Sequence, residues 1–283
     1  MILFKKIKDL SKWIDAQRKK DNTVGFVPTM GALHAGHLSL IDTSKKKDDI
    51  SVSSIFVNPT QFNDPNDFKK YPVTIEQDIY RLEEIGCDVL FLPSVHEMYP
   101  EGFSVKMHYD LGFLETILEG KHRPGHFQGV CMVVHRLLKI VKPDRLYLGQ
   151  KDYQQCMVIK KLIELIDVKN KIEIIICPTL RETDGLAMSS RNMRLNETEK
   201  KKSTTIYSCL NMIREDAGKK NPVELKTKGQ YMLEEAGFKV DYVEIVDAGN
   251  LISINDWKDI QKNVALIAAS INEVRLIDNM LLN

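Results

Sequence analysis

Long apolar runs, paired cysteines, repeats and a surplus of either charge are all missing from this sequence, and each absence removes a class of protein. No apolar stretch is long enough for a membrane span of roughly 20 residues or a secretory signal core of roughly 7–15. A soluble, cytoplasmic protein is expected. The five cysteines, Cys87, Cys131, Cys156, Cys177 and Cys209, are odd in number, widely spaced and without a CxxC pair. That pattern argues for reduced, mostly buried thiols and against a disulfide framework or a structural zinc site. Lys plus Arg number 40 and Asp plus Glu 39, a formal net charge of +1. Such a balance offers no long-range attraction to DNA, RNA or an anionic membrane, although a single cleft can still hold an anion.

What is present is enough hydrophobic material, 43% of 283 residues, to bury a core. The length suits one domain of ordinary size plus a smaller one. In the first twenty residues, MILFKKIKDLSKWIDAQRKK, apolar side chains recur at helical spacing between lysines. Strands and helices then alternate. TVGFVPT (23–29), ISVSSIFVN (50–58), DVLFLP (88–93), DRLYLG (144–149) and IEIIICPT (172–179) read as strands. Between them GHLSLIDTSKKK (36–47), TIEQDIYRLEEIG (74–86), residues 126–142 and a segment from Asp152 read as helices. This alternation predicts an α/β fold, a Rossmann-like, doubly wound parallel sheet with helices on both faces and a site along one edge. Beyond residue 180 the texture changes. Helices over 197–217 and 224–237 and strands over 241–247, 263–270 and 273–278 predict a smaller α+β domain, giving boundaries of 1–180 and 181–283.

Four segments could carry chemistry. In PTMGALHAGHLSLI (28–41), His34 and His37 sit where a strand turns into a helix, a place with unpaired N–H groups and partial positive charge. Gly31 and Gly36 let the backbone approach a ligand, and an imidazole there can donate to phosphate oxygens. The plain alternative is a pair of surface histidines capping a helix. A metal would need a third ligand, and no carboxylate or cysteine stands at a familiar spacing, so no protein-bound metal is expected. In IFVNPTQF (55–62), Asn58 and Gln61 are uncharged hydrogen-bonders suited to a small polar substrate, or simply turn residues. In YLGQKDYQQ (147–155), Lys151 can reach a phosphate, and Asp152 can cap a helix, bind a ribose or hold Lys151. In RETDGLAMSSRN (181–192), a polar segment of mobile character, Ser189, Ser190 and Arg191 could clamp a triphosphate or form a linker with a helix cap. All four are loop segments compatible with phosphate.

Together they resemble the pantoate–β-alanine ligases, the pantothenate synthetase family. PTMGALHAGH resembles the HxGH signature of the nucleotidyltransferase superfamily, and AMSSRN its second loop with the usual lysine absent. VNPTQF, KDYQQ and HRPGHFQGV (122–130) are the segments similar to this family rather than to its relatives. The resemblance spans about residues 20–195 and departs at Gln150, where a glutamate is expected.

The resemblance implies ATP-dependent ligation of pantoate and β-alanine through a pantoyl adenylate, with AMP and pyrophosphate released. It implies ATP as substrate, Mg2+ with it, a cytoplasmic homodimer and no nucleic-acid or membrane partner. Residues 1–180 would bind nucleotide and pantoate, and 181–283 would act as a lid. Met30, Gly31, Ala32, Leu33, His34, Ala35, Gly36 and His37 would hold ATP, with His34 and His37 on the phosphates and His37 donating a proton. Gly149, Gln150, Lys151 and Asp152 would also contact ATP, Lys151 at phosphate and Asp152 at ribose. Leu180 would line the adenine pocket, and Met188, Ser189, Ser190 and Arg191 would close over the triphosphate. Gln61, Gln155, Asn58 and Arg123 would bind the other substrates. Val130, Val133 and Val134 would face pantoate's methyls, or else pack a helix. Asp78 is a carboxylate candidate near magnesium, against the simpler reading of a solvated helix face. Rivals are another HxGH transferase acting on a different small acid, an aminoacyl-tRNA synthetase core, which should be basic and carry the second-loop lysine, and a nucleotide-binding regulator without catalysis.

Overall fold

A computed structural model describes residues 1–102, 107–167, 171–257 and 259–282. In chain order the strands and α-helices are β1 (Ile2–Phe4), α1 (Ile7–Arg18), β2 (Val24–Thr29), α2 (Ala35–Lys45), β3 (Ile50–Ile55), α3 (Pro65–Lys69), α4 (Ile75–Glu84), β4 (Val89–Phe91), α5 (Val95–Met98), α6 (Leu118–His122), α7 (His126–Val141), β5 (Arg145–Gly149), α8 (Tyr153–Leu165), β6 (Glu173–Cys177), α9 (Glu197–Asp216), α10 (Pro222–Glu235), β7 (Lys239–Asp247), β8 (Asn263–Ile271) and β9 (Val274–Leu281). Residues 1–149 with 155–178 form one compact unit, and 150–154 with 179–283 form a second.

In the first unit six parallel strands lie in the order β1-β4-β3-β2-β5-β6. Successive side chains of a strand go to opposite faces. Val24, Phe26, Val89, Phe91, Leu146 and Leu148 therefore join one core, shared with Leu10 and Ile14 of α1 and Leu162 of α8. Val27, Leu90 and Tyr147 join another, with Leu40 and Ile41 of α2 and Leu82 of α4. A sheet covered on both faces favours apolar or small side chains along its inner strands; β2, β4 and β5 are mostly apolar, while β3 also buries Ser51, Ser53 and Ser54. The doubly wound arrangement expected from the alternation is thus present.

The strand order reverses between β2 and β5. At such a reversal the connections leave to opposite sides and open a crevice beyond the carboxyl ends of the two strands. Those ends are Thr29 and Gly149, so two of the four chemistry-bearing segments begin there.

The N-terminus corrects the sequence reading. Residues Ile2–Phe4 are a strand paired in parallel with β4, and the helix starts only at Ile7. Three consecutive apolar residues cannot share one helix face. They can extend a sheet edge, and Glu97 fixes the switch to helix by accepting from the Ile7 main chain (2.9 Å) and Lys6 Nζ (3.0 Å).

The second unit pairs a three-stranded antiparallel sheet, β7-β8-β9, with α9 and α10. Ile206 and Leu210 of α9, Leu225 and Leu233 of α10, and Ile245, Ile267 and Leu276 of the sheet form its core. Among the described residues no helix is long and apolar enough to cross a membrane.

Candidate active site

The turn from β2 into α2 is built from inside the protein. Gly31 takes φ +79° and Ala32 φ +48°, left-handed values that close a tight loop. A side chain at Gly31 would also stand only 3.0 Å from Ile55 and 3.1 Å from Asp78. Thr29 Oγ1 accepts from the Gly31 N–H (3.2 Å) and donates to the Ser54 carbonyl (2.7 Å). Asp78 of α4 is wholly buried and accepts from the main-chain N–H of Ala32 (2.8 Å) and of Leu33 (2.8 Å), with Thr74 Oγ1 also donating to it. Arg81, one helical turn further, donates to the Leu33 carbonyl. One helix thus holds the turn by its donors and its acceptor. Each hydrogen bond to a carboxylate of this kind contributes about 1.5–3 kcal/mol.

Asp78 is therefore not on a solvated helix face, and both its oxygens are engaged by the protein. It shapes the turn. Ala32 and Leu33 support the turn from within, their side chains buried and their N–H groups on Asp78.

His34 is the N-cap residue of α2 and His37 lies in its first turn, with ring centroids 4.0 Å apart. The His34 N–H points at His37 Nδ1 (3.3 Å). An N–H donor at Nδ1 requires a lone pair there, so neutral His37 carries its proton on Nε2. The two histidines are evident in the sequence, and the fold supplies the tautomer of His37. Met30, Ala35 and Gly36 complete this segment, Ala35 and Gly36 contributing the first helical N–H groups.

The second segment leaves β3. Asn58 is fully buried, and its Nδ2 donates to Gln61 Oε1 (3.1 Å) and to the Gly129 carbonyl (3.1 Å). Its Oδ1 accepts from Tyr99 Oη (2.9 Å) and Thr60 Oγ1 (3.0 Å). Burial pushes the Tyr99 hydroxyl above its usual range, keeping it a donor. Both amide hydrogens and the oxygen of Asn58 are thus committed, which corrects the expectation that it touches substrate. It orients Gln61, whose Nε2 lies against Met30 Sδ. Helix α7 passes so close to the Pro59–Gln61 turn that a side chain at Gly129 would stand 2.1 Å from the Thr60 carbonyl oxygen.

Behind Gln61, His126 Nδ1 lies 2.7 Å from its carbonyl oxygen, and Arg123 Nη1 lies 3.1 Å from His126 Nε2. A carbonyl only accepts, so Nδ1 carries the proton and Nε2 accepts from Arg123. Arg123 also reaches Asn63 (3.3 Å) and Glu119 (3.8 Å). Val130, Val133 and Val134 are core residues, as ordinary helix packing predicts. Gln155, half-buried, lies near the start of α8. At Gly149, the end of β5, a side chain would meet no described atom within 4 Å. Packing does not demand glycine there, whereas close approach of a ligand would.

Residues 150–154 and the 181–192 segment lie in the second unit. Lys151 and Asp152 lie in the 3₁₀ turn Gln150–Asp152, with Nζ 3.9 Å from the Asp152 carboxylate. Leu180 is exposed. The 181–192 segment has its own hydrogen-bond frame. Arg181 and Ala187 form a β-bridge, Met188 N donates to the Leu180 carbonyl (3.0 Å), and Ser189 Oγ accepts from Arg191 N (3.3 Å). Ser190 is buried, while Met188, Ser189 and Arg191 are partly exposed. Lys151, Ser189, Asn192 and Asp278 line a small pocket together with Leu186 and Tyr207. Among the described residues no group of three or more His, Cys, Asp or Glu is placed to hold a metal ion.

Asp78, which holds the histidine turn, and Asn279, whose side chain donates to the carbonyls of Gln150 and Lys151, carry no local signal in the sequence. Neither belongs to a segment with recognisable chemistry.

A family model described as pantoate-beta-alanine ligase matches residues 2–281. The pantothenate synthetase of Cytophaga hutchinsonii is 45% identical, covering 100% of this chain and 99% of that protein. That of Fervidobacterium nodosum is 43% identical with full coverage of both. A crystal structure of pantothenate synthetase from Thermus thermophilus superposes with a TM-score of 0.92 at 39% identity, covering 100% of this chain and 99% of that one. The ligase of Francisella tularensis, crystallised with beta-gamma ATP and beta-alanine, gives 0.83 at 41% identity, with 100% and 98% covered.

Proposed function

The chain belongs to the pantoate–β-alanine ligase family, and from that premise we propose that it makes pantothenate from pantoate, β-alanine and ATP in two steps. In the first, a carboxylate oxygen of pantoate attacks the α-phosphorus of ATP and pyrophosphate leaves, giving pantoyl adenylate. In the second, the β-alanine amine attacks the acyl carbon, loses a proton and expels AMP. A free carboxylate is a poor acyl donor, and adenylation turns its oxygen into part of a good leaving group.

The observation that carries the reading is the His34–His37 pair at the carboxyl end of β2, beside the strand-order reversal. Phosphoryl transfer needs positioning and charge neutralisation more than a covalent side chain. Held through Nδ1, His37 presents Nε2–H to a phosphate oxygen as negative charge grows on the departing pyrophosphate. His34 adds a second imidazole beside it, and Lys151 brings a positive charge. Met30 to His37, Gly149 to Asp152, Leu180 and Met188 to Arg191 are assigned to ATP. Gln61 and Gln155 are assigned to pantoate, and Arg123 to β-alanine or the adenylate. Asn58 stands behind Gln61.

Magnesium is proposed to enter on the phosphates of ATP, since the carboxylate of Asp78 already accepts from Ala32, Leu33 and Thr74. A homodimer and a cytoplasmic location are carried over from the family. A related transferase acting on another small acid is not favoured, because the match to this family extends over nearly the whole chain.

Pyrophosphate release with pantoate alone, followed by AMP and pantothenate release on adding β-alanine, tests both the reaction and its order. Pyrophosphate release that is indifferent to pantoate would refute the reading.

A further inference from the structure

The turn bearing Lys151 is tied to residues almost 130 positions further along the chain. Asn279 of β9 is buried and donates through Nδ2 to the main-chain carbonyls of Gln150 (2.9 Å) and Lys151 (2.8 Å). Its Oδ1 accepts from Gln150 Nε2 (3.2 Å). Both amide hydrogens and the amide oxygen of Asn279 are therefore engaged by two consecutive residues. In a trans peptide the C=O and the following N–H point in opposite directions. Drawing the carbonyls of Gln150 and Lys151 towards β9 turns the N–H groups of Lys151 and Asp152 away from it.

The preceding residue works on another segment. Side chains of consecutive strand residues leave opposite faces, and Asp278 takes the Arg181 guanidinium in a two-pronged pair (2.5 and 3.0 Å). Arg181 also donates to the Asn279 carbonyl (3.2 Å) and lies over the Tyr207 ring (4.6 Å). Arg181 is the residue bridged to Ala187, so this pair fixes the base of the 181–192 segment. Two adjacent residues of one strand thus organise both second-unit segments assigned to the nucleotide.

We propose that Asn279 is a positioning residue for Lys151, with Gln150 as its hydrogen-bond donor, an inference that rests on the assignment of Lys151 to the phosphates. It gives Gln150 a reason to be an amide. A glutamate there would set a carboxylate oxygen against Asn279 Oδ1, acceptor facing acceptor, while Nδ2 stays committed to the two carbonyls. The link is a side-chain clamp on main chain, which fixes where the Lys151 side chain starts and how its neighbouring N–H groups point.

The test is a double-mutant cycle on the full chain, read as kcat and KM in pantoate-dependent pyrophosphate release with labelled ATP. Asn279→Ala is expected to lower kcat/KM for ATP by about tenfold or more, with KM for pantoate moved less than about threefold. In a Lys151→Ala background the same change is expected to cost less than about threefold, because no ammonium remains to be placed. Gln150→Glu should lower kcat/KM for ATP in the same direction. Should Asn279→Ala fail to fold, the isosteric Asn279→Asp, which loses both donors, takes its place in the cycle. An unchanged kcat/KM for ATP, or equal losses with and without Lys151, overturns the proposal. Wild-type protein that releases no pantoate-dependent pyrophosphate would instead overturn the ligase reading.

Discussion

The carboxylate of Asp78 lies 2.8 Å from the main-chain nitrogen of Ala32, a residue 46 positions earlier in the chain, and this bond shapes the histidine turn. Ala32 holds a left-handed φ of +48°, which costs energy for a residue with a Cβ. The second carboxylate oxygen takes Leu33, so the pair of N–H groups acts as one unit.

Replacing Asp78 by Asn is expected to put an amide hydrogen against one of those N–H groups and leave it unpaired. The cost should be about 2–4 kcal/mol of stability, from one lost charge-assisted bond and one buried unsatisfied donor. Because the turn carries His34 and His37, kcat/KM for ATP should fall as well. Thermal unfolding and steady-state kinetics on the same preparation check both. A variant as stable and active as wild type would show that the turn does not depend on Asp78.

Gln61→Ala is expected to raise KM for pantoate by about tenfold or more and to move KM for ATP less than about threefold, if Gln61 is a substrate ligand. Asn58→Ala should act in the same direction through loss of the Gln61 anchor, and should also lower the melting temperature, as it opens a buried polar network. Loss of ATP affinity alone in the Gln61 variant would contradict its assignment.

The thiols should be inert. Burial pushes the Cys87 thiol up to about 11 and those of Cys131 and Cys209 up to about 12, and raises that of Cys177. The reactive species is the thiolate, so native protein at pH 8 should resist iodoacetamide under conditions that alkylate all five cysteines once it is unfolded. Rapid labelling of any of these four in the native state, counted by mass spectrometry, would contradict the burial seen here.

The parts of the site legible in the sequence are those whose chemistry is local. Two histidines beside glycines at a strand end, and a lysine after a strand glycine, can be read from a dozen residues. The layered sheet was legible for the same reason, since each strand and helix announces itself by its own periodicity. Asp78 was not, because an acidic residue on an amphipathic helix looks solvated until the fold places a turn against it. Asn58 misled in the other direction. An exposed amide and a buried one have the same letter, and only Tyr99, Thr60, Gln61 and Gly129 around it reveal that it has no group left for a substrate. Ile2–Phe4 is not legible as a strand because the helical spacing of the residues after it runs on from it, while its strand partner lies 87 positions away.

The central claim, that the histidine turn drives adenylation of pantoate before β-alanine is used, is tested most directly by pyrophosphate exchange. Labelled pyrophosphate is followed into ATP with magnesium and pantoate present and β-alanine absent. Exchange is expected to require pantoate and to fall by about two or more orders of magnitude in His37→Ala, with the fold retained. Exchange that needs β-alanine, or that proceeds equally well without His37, would contradict it.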